Sequence, residues 1–161
     1  MDVLRNEAIE LLEGRGAHMP FEEAVANFPP EAINRRAPNV GYTAWHLVEH
    51  IRITQWDILE YIRDPGYVSP PWPSGYWPDP KATATPEQFA ASVAATIADR
   101  NTLRKIVLSP DTDLLGPLPA SPRHTILREV RLVGDHTAYH VGEFAILRQV
   151  MDTWPEVRDS G

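Results

Sequence analysis

Two histidines in the segment DHTAYH, Asp135 to His140, have the spacing of a pair of metal ligands. His136 and His140 are four residues apart in an apolar run that extends from Ile126 to Met151. If this run is a helix, the two Cβ atoms lie one turn apart, roughly 5–6 Å, so both imidazoles can reach one ion. Both histidines fall inside the apolar arc of that helix, which predicts that they point into the protein.

The same pair has a second interpretation, as core histidines that hydrogen-bond Glu129, Glu143 or a tyrosine. A buried imidazole needs either such a partner or a metal, because leaving it unpaired costs about 1–3 kcal/mol. Thr137 follows His136 where helical metalloproteases have their general-base glutamate, so peptide hydrolysis is not expected. Spacing alone leaves metal binding and core packing open.

A second histidine pair, His46 and His50, lies in the next most regular apolar run. Helical projection places His50 beside Leu47, near the apolar arc, and turns His46 toward Glu49. If one histidine of this helix joins the site, His50 is favoured. His46 is then a residue that supports a ligand, a surface residue or an alternative ligand.

The other two histidines are not expected to take part. His18 lies in a turn flanked by glycines, and His124 lies in the predicted first turn of the last helix, so both are interpreted as solvated or capping residues. The projection also turns Asp135 away from the histidine face.

Four predicted helices position these residues. Thr43 and Thr85 are suitable N-cap residues, and Pro86 and Gln88 complete the start signal after Thr85. Ser121 followed by proline repeats that signal. The helices are predicted from Asp2 to Glu13, from Thr43 to about Asp64, from Thr85 to about Leu108, and from Ser121 toward Trp154. We therefore expect an all-α protein, an antiparallel four-helix bundle that forms a single domain over residues 1–161.

A loop rich in proline and tryptophan, DPGYVSPPWPSGYWPDP, separates the second and third helices. Its prolines forbid regular structure, while its large rings favour burial, so a structured loop is predicted. The rings that favour burial are Tyr67, Trp72, Tyr76 and Trp77. They either cover the end of the bundle or form the lid of a pocket.

Composition excludes several classes of site and partner. The chain has no cysteine, so a metal must be bound through nitrogen or oxygen. A net charge of -7 and the absence of a basic stripe argue against nucleic acid as a partner. There is no apolar run long enough to span a membrane and no signal-peptide pattern, so a cytoplasmic protein is expected.

Two segments, TAWHLVEHIRITQWDIL (43–59) and DHTAYHVGEFAILR (135–148), resemble the DinB superfamily of small four-helix-bundle proteins. The resemblance implies that His50, His136 and His140 hold a divalent metal such as nickel, zinc or iron. As in such relatives, Gly142 follows the final pair, but Glu143 stands where glutamine is common. The resemblance also implies a homodimer and, for some relatives, thiol transfer with bacillithiol, mycothiol or glutathione.

Three imidazoles that leave coordination positions open are typical of a catalytic rather than a structural metal site. We therefore predict metal-dependent activation of a small thiol or of water, in a thiol transferase or hydrolase that acts on a small molecule. The candidate auxiliary groups are Glu49, Glu143 and Tyr139. A non-catalytic stress-associated or regulatory metal-binding protein and a metal-free interaction module are the alternatives. The metal stays open, because imidazole accepts zinc, nickel, copper and iron.

Overall fold

The computed structural model describes residues 3–155 and is mostly helical. This part of the chain contains five α-helices and one small two-stranded sheet. The helices are α1 (Val3–Glu13), α2 (Phe21–Val25), α3 (Ala44–Arg63), α4 (Pro86–Leu108) and α5 (Ile126–Met151), and the strands are β1 (Pro117–Leu118) and β2 (Ser121–Thr125). The predicted start of the first helix at Asp2, like residues 156–161 of the predicted domain, lies outside the described range. Within residues 3–155, no helix combines the length and the apolar character that a membrane span requires.

The predicted starts of the second and third long helices are confirmed. Thr43 caps α3 by accepting from the backbone N–H of His46 at 3.3 Å, and Thr85 caps α4 by accepting from that of Gln88 at 3.2 Å. In α4 the Gln88 side chain accepts from the Thr85 N–H in return. These reciprocal bonds satisfy backbone donors that have no partner inside the helix.

The predicted start of the last helix at Ser121 is wrong. Residues 121–125 form β2, which pairs antiparallel with β1, and Thr125 caps α5 by accepting from the backbone N–H of Arg128. The Ser-Pro signal is local, whereas the strand is stabilised by backbone bonds to residues on the other side of a turn. His124 therefore lies on a strand and not in a helical turn.

The long helices enclose two hydrophobic cores. Both α1 and α3 pack against α4 and α5. Core 1 lies beside the first half of α3 and the second half of α5, and it includes Phe21, Leu47, Ile51, Phe144 and Leu147. Core 2 lies at the other ends of these two helices, and it includes Leu12, Leu59, Leu103, Val107 and Val133.

The rings of the loop between α3 and α4 differ in their environment. Tyr76, which ends a short 3₁₀ turn, is buried, and Trp77 is half-buried. Trp72 is 76% exposed, so the expectation that it favours burial is wrong. The loop therefore turns Tyr76 and Trp77 toward the helices and Trp72 toward solvent.

Candidate metal centre

Three histidine side chains converge between α3 and α5. His50 comes from α3, while His136 and His140 come from successive turns of α5. The Nε2 atom of His50 lies 3.1 Å from Nε2 of His140 and 3.0 Å from Nε2 of His136. One ligand nitrogen from each residue lies within 4.8 Å of the others. The structure thus brings together the three histidines that the sequence selected.

The site is largely shielded from solvent. His50 is 3% exposed and His140 is 7% exposed, while His136 is half-buried. Burial, together with smaller contributions from the neighbouring His140 and His50, lowers the pKa of His136 to about 3. Burial also lowers the pKa of His50. Both effects favour the neutral imidazole, which is the form that binds a metal.

In two of these rings, those of His50 and His140, the Nδ1 atom is hydrogen-bonded to an oxygen outside the cluster. Nδ1 of His50 lies 2.7 Å from the backbone carbonyl oxygen of Tyr76, and Nδ1 of His140 lies 2.5 Å from Oε2 of Glu143. A carbonyl and a carboxylate oxygen only accept, so each Nδ1 carries the proton and donates it. In a neutral ring the Nε2 atom is then an unprotonated acceptor.

Two such acceptors face each other across 3.1 Å, at Nε2 of His50 and Nε2 of His140. Two lone pairs cannot form a hydrogen bond with each other, so the His50–His140 contact is unfavourable unless a cation or an added proton lies between the rings. A neutral His136 with its proton on Nε2 would donate to His50 at 3.0 Å, and Nε2 of His140 would still face another acceptor. Protonating His50 would supply one N–H for two neighbouring nitrogens, and burial opposes that charge. A bound metal ion would satisfy all three Nε2 atoms at once.

The nitrogen separations also agree with this interpretation. Two imidazole nitrogens, each about 2.0–2.1 Å from one ion, lie roughly 2.9–3.4 Å apart for angles of about 90–110° at the metal. The separations of 3.0 and 3.1 Å lie within that interval. The donor set, its protonation and two of its three nitrogen separations therefore fit a divalent transition metal, and all three ligand nitrogens lie within 4.8 Å of one another.

Trp77 covers one side of the cluster. Its ring stacks on the His50 ring with 3.8 Å between centroids and 8° between planes, and it meets the His140 ring nearly edge-on at 6.2 Å. The loop between α3 and α4 therefore supplies both a ring that packs on His50 and the Tyr76 carbonyl that orients it.

The candidate auxiliary residues occupy different places. Glu143 bonds His140, and Tyr139 presents its 67% exposed ring edge-on to His140 at 4.9 Å. Glu49 does not join them, because Arg52 binds both of its carboxylate oxygens and Ser92 donates to Oε2. Among the described residues, the metal-capable group contains the three histidines and no carboxylate.

His46 is a buried support rather than a member of the cluster. Its Nδ1 lies 2.6 Å from the Thr43 hydroxyl, and its Nε2 lies 3.0 Å from the backbone carbonyl oxygen of Asp79. Both ring nitrogens thus have oxygen partners, and His46 holds the loop close to α3. The structure places His50, which the prediction favoured, in the cluster and places His46 outside it.

The remaining histidines and Asp135 lie elsewhere. His18 is exposed, as predicted, and contacts the carbonyl oxygen of Met19. His124 is half-buried on β2, with Nδ1 2.8 Å from the Tyr61 hydroxyl. Asp135 is exposed on α5, in agreement with the helical projection.

Sequence reasoning missed two contributors to the site. Tyr42 donates its hydroxyl proton to Oε1 of Glu143 at 2.8 Å, and the Tyr76 backbone carbonyl accepts from His50. Neither follows from local spacing, because a backbone carbonyl has no sequence signature and Tyr42 lies 101 positions from Glu143. The only sequence signal for this part of the site was the group of aromatic residues in the loop, which includes Trp77 but neither Tyr42 nor the Tyr76 carbonyl.

Comparisons with known proteins give one positive result. The family model of the DinB superfamily matches residues 15–144, which include all three histidines of the cluster. Neither the curated proteins nor the solved structures contain a significant match.

Proposed function

Because this chain belongs to the DinB superfamily, we propose that His50, His136 and His140 form an open divalent-metal centre that serves a reaction on a small molecule. One observation carries the proposal: the Nε2 atoms of His50 and His140 lie 3.1 Å apart, while the Nδ1–H group of each ring donates a hydrogen bond to an oxygen. Nickel and zinc are the first candidates and iron is a further one, since all three accept imidazole ligands.

The proposed architecture is the antiparallel four-helix bundle of the sequence analysis. The packing of both α1 and α3 against α4 and α5 supports it, because each long helix then has two long neighbours. A single domain, a homodimer and a cytoplasmic location complete the proposal.

The proposed chemistry is activation of a thiol or of water. A metal held by three imidazoles would lower the pKa of bound water to about 7 and would deprotonate a bound thiol outright. In this scheme Glu143 keeps His140 in the Nδ1–H form, and Tyr139 donates to an anion bound at the site. Glu49 receives no role, since Arg52 and Ser92 occupy its carboxylate.

Metal analysis of untagged protein tests the centre itself. We expect one equivalent of Ni²⁺ or Zn²⁺ per chain in the wild-type protein, and loss of stoichiometric binding in His50→Ala, His136→Ala and His140→Ala. His46→Ala is the matched control, because it removes a histidine one helical turn from His50 and leaves the three proposed ligands. The proposal fails if wild-type protein takes up neither metal when either is added.

A second experiment tests the reaction. Metal-loaded protein is incubated with a small electrophile and, in turn, with bacillithiol, mycothiol, glutathione or no thiol, and consumption of the electrophile is followed. Consumption that requires both the metal and His136 supports transfer when it also needs a thiol, and hydrolysis when it does not. Metal binding without consumption across this panel would favour the non-catalytic alternative, a metal-binding protein of stress or regulation.

A further inference from the structure

Tyr42 contacts two residues that themselves contact histidines of the cluster, although it lies outside the long helices, immediately before the α3 cap. Its hydroxyl donates to Oε1 of Glu143 at 2.8 Å, and the other oxygen of Glu143 accepts from Nδ1 of His140. Its ring lies 5.6 Å from the ring of Trp77, which stacks on His50. One side chain therefore links the residues that orient two of the three histidines.

We propose that Tyr42 is a positioning residue of the metal centre, which sets metal affinity by fixing the Glu143 carboxylate against His140. The inference rests on the proposed metal-binding function and adds to it a residue outside the ligand set. The hydroxyl of Tyr42 acts on His140 through Glu143, and its ring acts on His50 through Trp77.

The hydroxyl matters because Glu143 is only partly enclosed. The Glu143 side chain is 29% exposed, so water competes for its oxygens, whereas the His140 side chain is 9% exposed. A carboxylate bonded at both oxygens is restricted to one orientation, and a carboxylate bonded at one oxygen is free to rotate or to turn toward solvent. Tyr42 supplies the second bond.

The effect on metal binding follows from the role of such outer partners. A carboxylate that accepts from a ligating histidine fixes the tautomer and the ring and raises the basicity of the ligand, and its loss typically costs 10–100-fold in metal affinity. Tyr42 acts one bond farther out, so its hydroxyl is worth less. We expect a loss of about 3–10-fold, the fold-change that corresponds to one ordinary hydrogen bond.

The test compares Tyr42→Phe, Glu143→Ala and the double variant, each titrated with Zn²⁺ in competition with a chromophoric chelator. Tyr42→Phe removes the hydroxyl and keeps the ring that packs on Trp77. Tyr61→Phe is the matched control, since it also removes the hydroxyl of a half-buried tyrosine that bonds another side chain, in this case His124 in the other half of the molecule. Visible absorption of Co²⁺-loaded protein reports the ligand field directly.

The inference predicts that Tyr42→Phe weakens Zn²⁺ binding about 3–10-fold and shifts the Co²⁺ spectrum, while Tyr61→Phe does neither. In the Glu143→Ala background the Tyr42→Phe change should have no further effect, because its target is gone. Equal losses in both backgrounds, or wild-type affinity and spectrum in Tyr42→Phe, would overturn this inference and leave the metal centre standing. Wild-type protein that binds no metal would overturn both proposals.

Discussion

Histidine meets its partners in two different ways in the two halves of this molecule. Beside core 2, Nδ1 of His124 lies 2.8 Å from the Tyr61 hydroxyl and 3.7 Å from the Glu129 carboxylate, which also pairs with Arg128. Beside core 1, Nε2 of His50 faces only other imidazole nitrogens at 3.0–3.1 Å. The first group combines donors with acceptors. The second sets the Nε2 acceptors of His50 and His140 against each other, an arrangement that a bound cation would stabilise.

The contrast extends along a single helix. His46 and His50 are both 3% exposed and lie one turn apart on α3, yet the ring nitrogens of His46 both have oxygen partners. Burial and the i, i+4 spacing therefore do not identify a ligand by themselves. The two histidines are distinguished by the type of atom that faces each ring nitrogen, which is oxygen for His46 and another imidazole nitrogen for Nε2 of His50.

The largest expected effect is the stabilisation of the protein by added Zn²⁺, which should depend on the histidine cluster beside core 1 and not on His124 beside core 2. With free Zn²⁺ at about a thousand times its Kd, the free energy of unfolding should rise by about 4 kcal/mol, because the ion binds only the folded site. Thermal denaturation with and without Zn²⁺ measures this rise. His136→Ala should abolish it and His124→Ala should retain it. A full rise in His136→Ala, or none in His124→Ala, would contradict the comparison.

Large-to-small substitutions in the two cores should destabilise equally but affect the site differently. Leu47 in core 1 and Leu103 in core 2 are both 0% exposed, so replacement by alanine should cost about 2–5 kcal/mol in either case. Urea denaturation gives the cost. Zn²⁺ affinity of the folded protein should fall in Leu47→Ala, which loosens the helix beside His50, and stay unchanged in Leu103→Ala. Equal affinities in the two variants would show that packing in core 1 does not hold the ligands.

A smaller effect is expected for His46→Ala, which removes the bond to the Asp79 carbonyl and the reciprocal cap with Thr43. The free energy of unfolding should fall by about 1–2 kcal/mol, because the two ring hydrogen bonds with the Thr43 N–H and the Asp79 carbonyl are lost, while the backbone N–H of residue 46 still bonds the Thr43 hydroxyl. Metal stoichiometry should remain one per chain. Denaturant unfolding and metal analysis on the same preparation test both statements, and loss of the metal would make His46 part of the centre.

The smallest effect concerns the ion pair between Glu22 and Arg100, which joins α2 to α4. Burial by itself would raise the pKa of Glu22, but the hydrogen bond and the charge of Arg100 outweigh it, and the pKa is lowered overall. A carboxyl whose pKa is lower in the folded state stabilises the protein above its unfolded pKa of about 4.3, and this stabilisation disappears as the pH falls through the folded value.

Glu22→Gln should therefore cost at most about 1 kcal/mol at pH 7, because the Glu22 side chain is 44% exposed. Unfolding free energies of the variant and wild-type proteins, compared between pH 7 and pH 3, should converge toward the acid end. A difference that grows on acidification would reverse the sign of the linkage.

Much of the site could be predicted from residue order, because its central elements are local. The caps at Thr43 and Thr85 and the pair at His136 and His140 depend on hydrogen bonds and side-chain directions within about one helical turn. The start of α5 could not be predicted, since residues 121–125 pair with β1 instead of continuing the helix. Local signals cannot report a competing bond to another segment.

The amino-acid sequence by itself determined the composition of the site: no thiol, two histidine pairs at helical spacing, and one histidine of α3 on the apolar side. Only the tertiary structure decided the chemistry of each ring. It placed His50 beside histidines that are 86 and 90 positions away in the chain. It also provided the Tyr76 carbonyl that accepts from Nδ1 of His50 and the Tyr42 hydroxyl that donates to Glu143. The reason is physical: helical spacing arises from backbone bonds four residues apart, whereas the protonation and orientation of a buried imidazole depend on atoms that packing brings from distant segments.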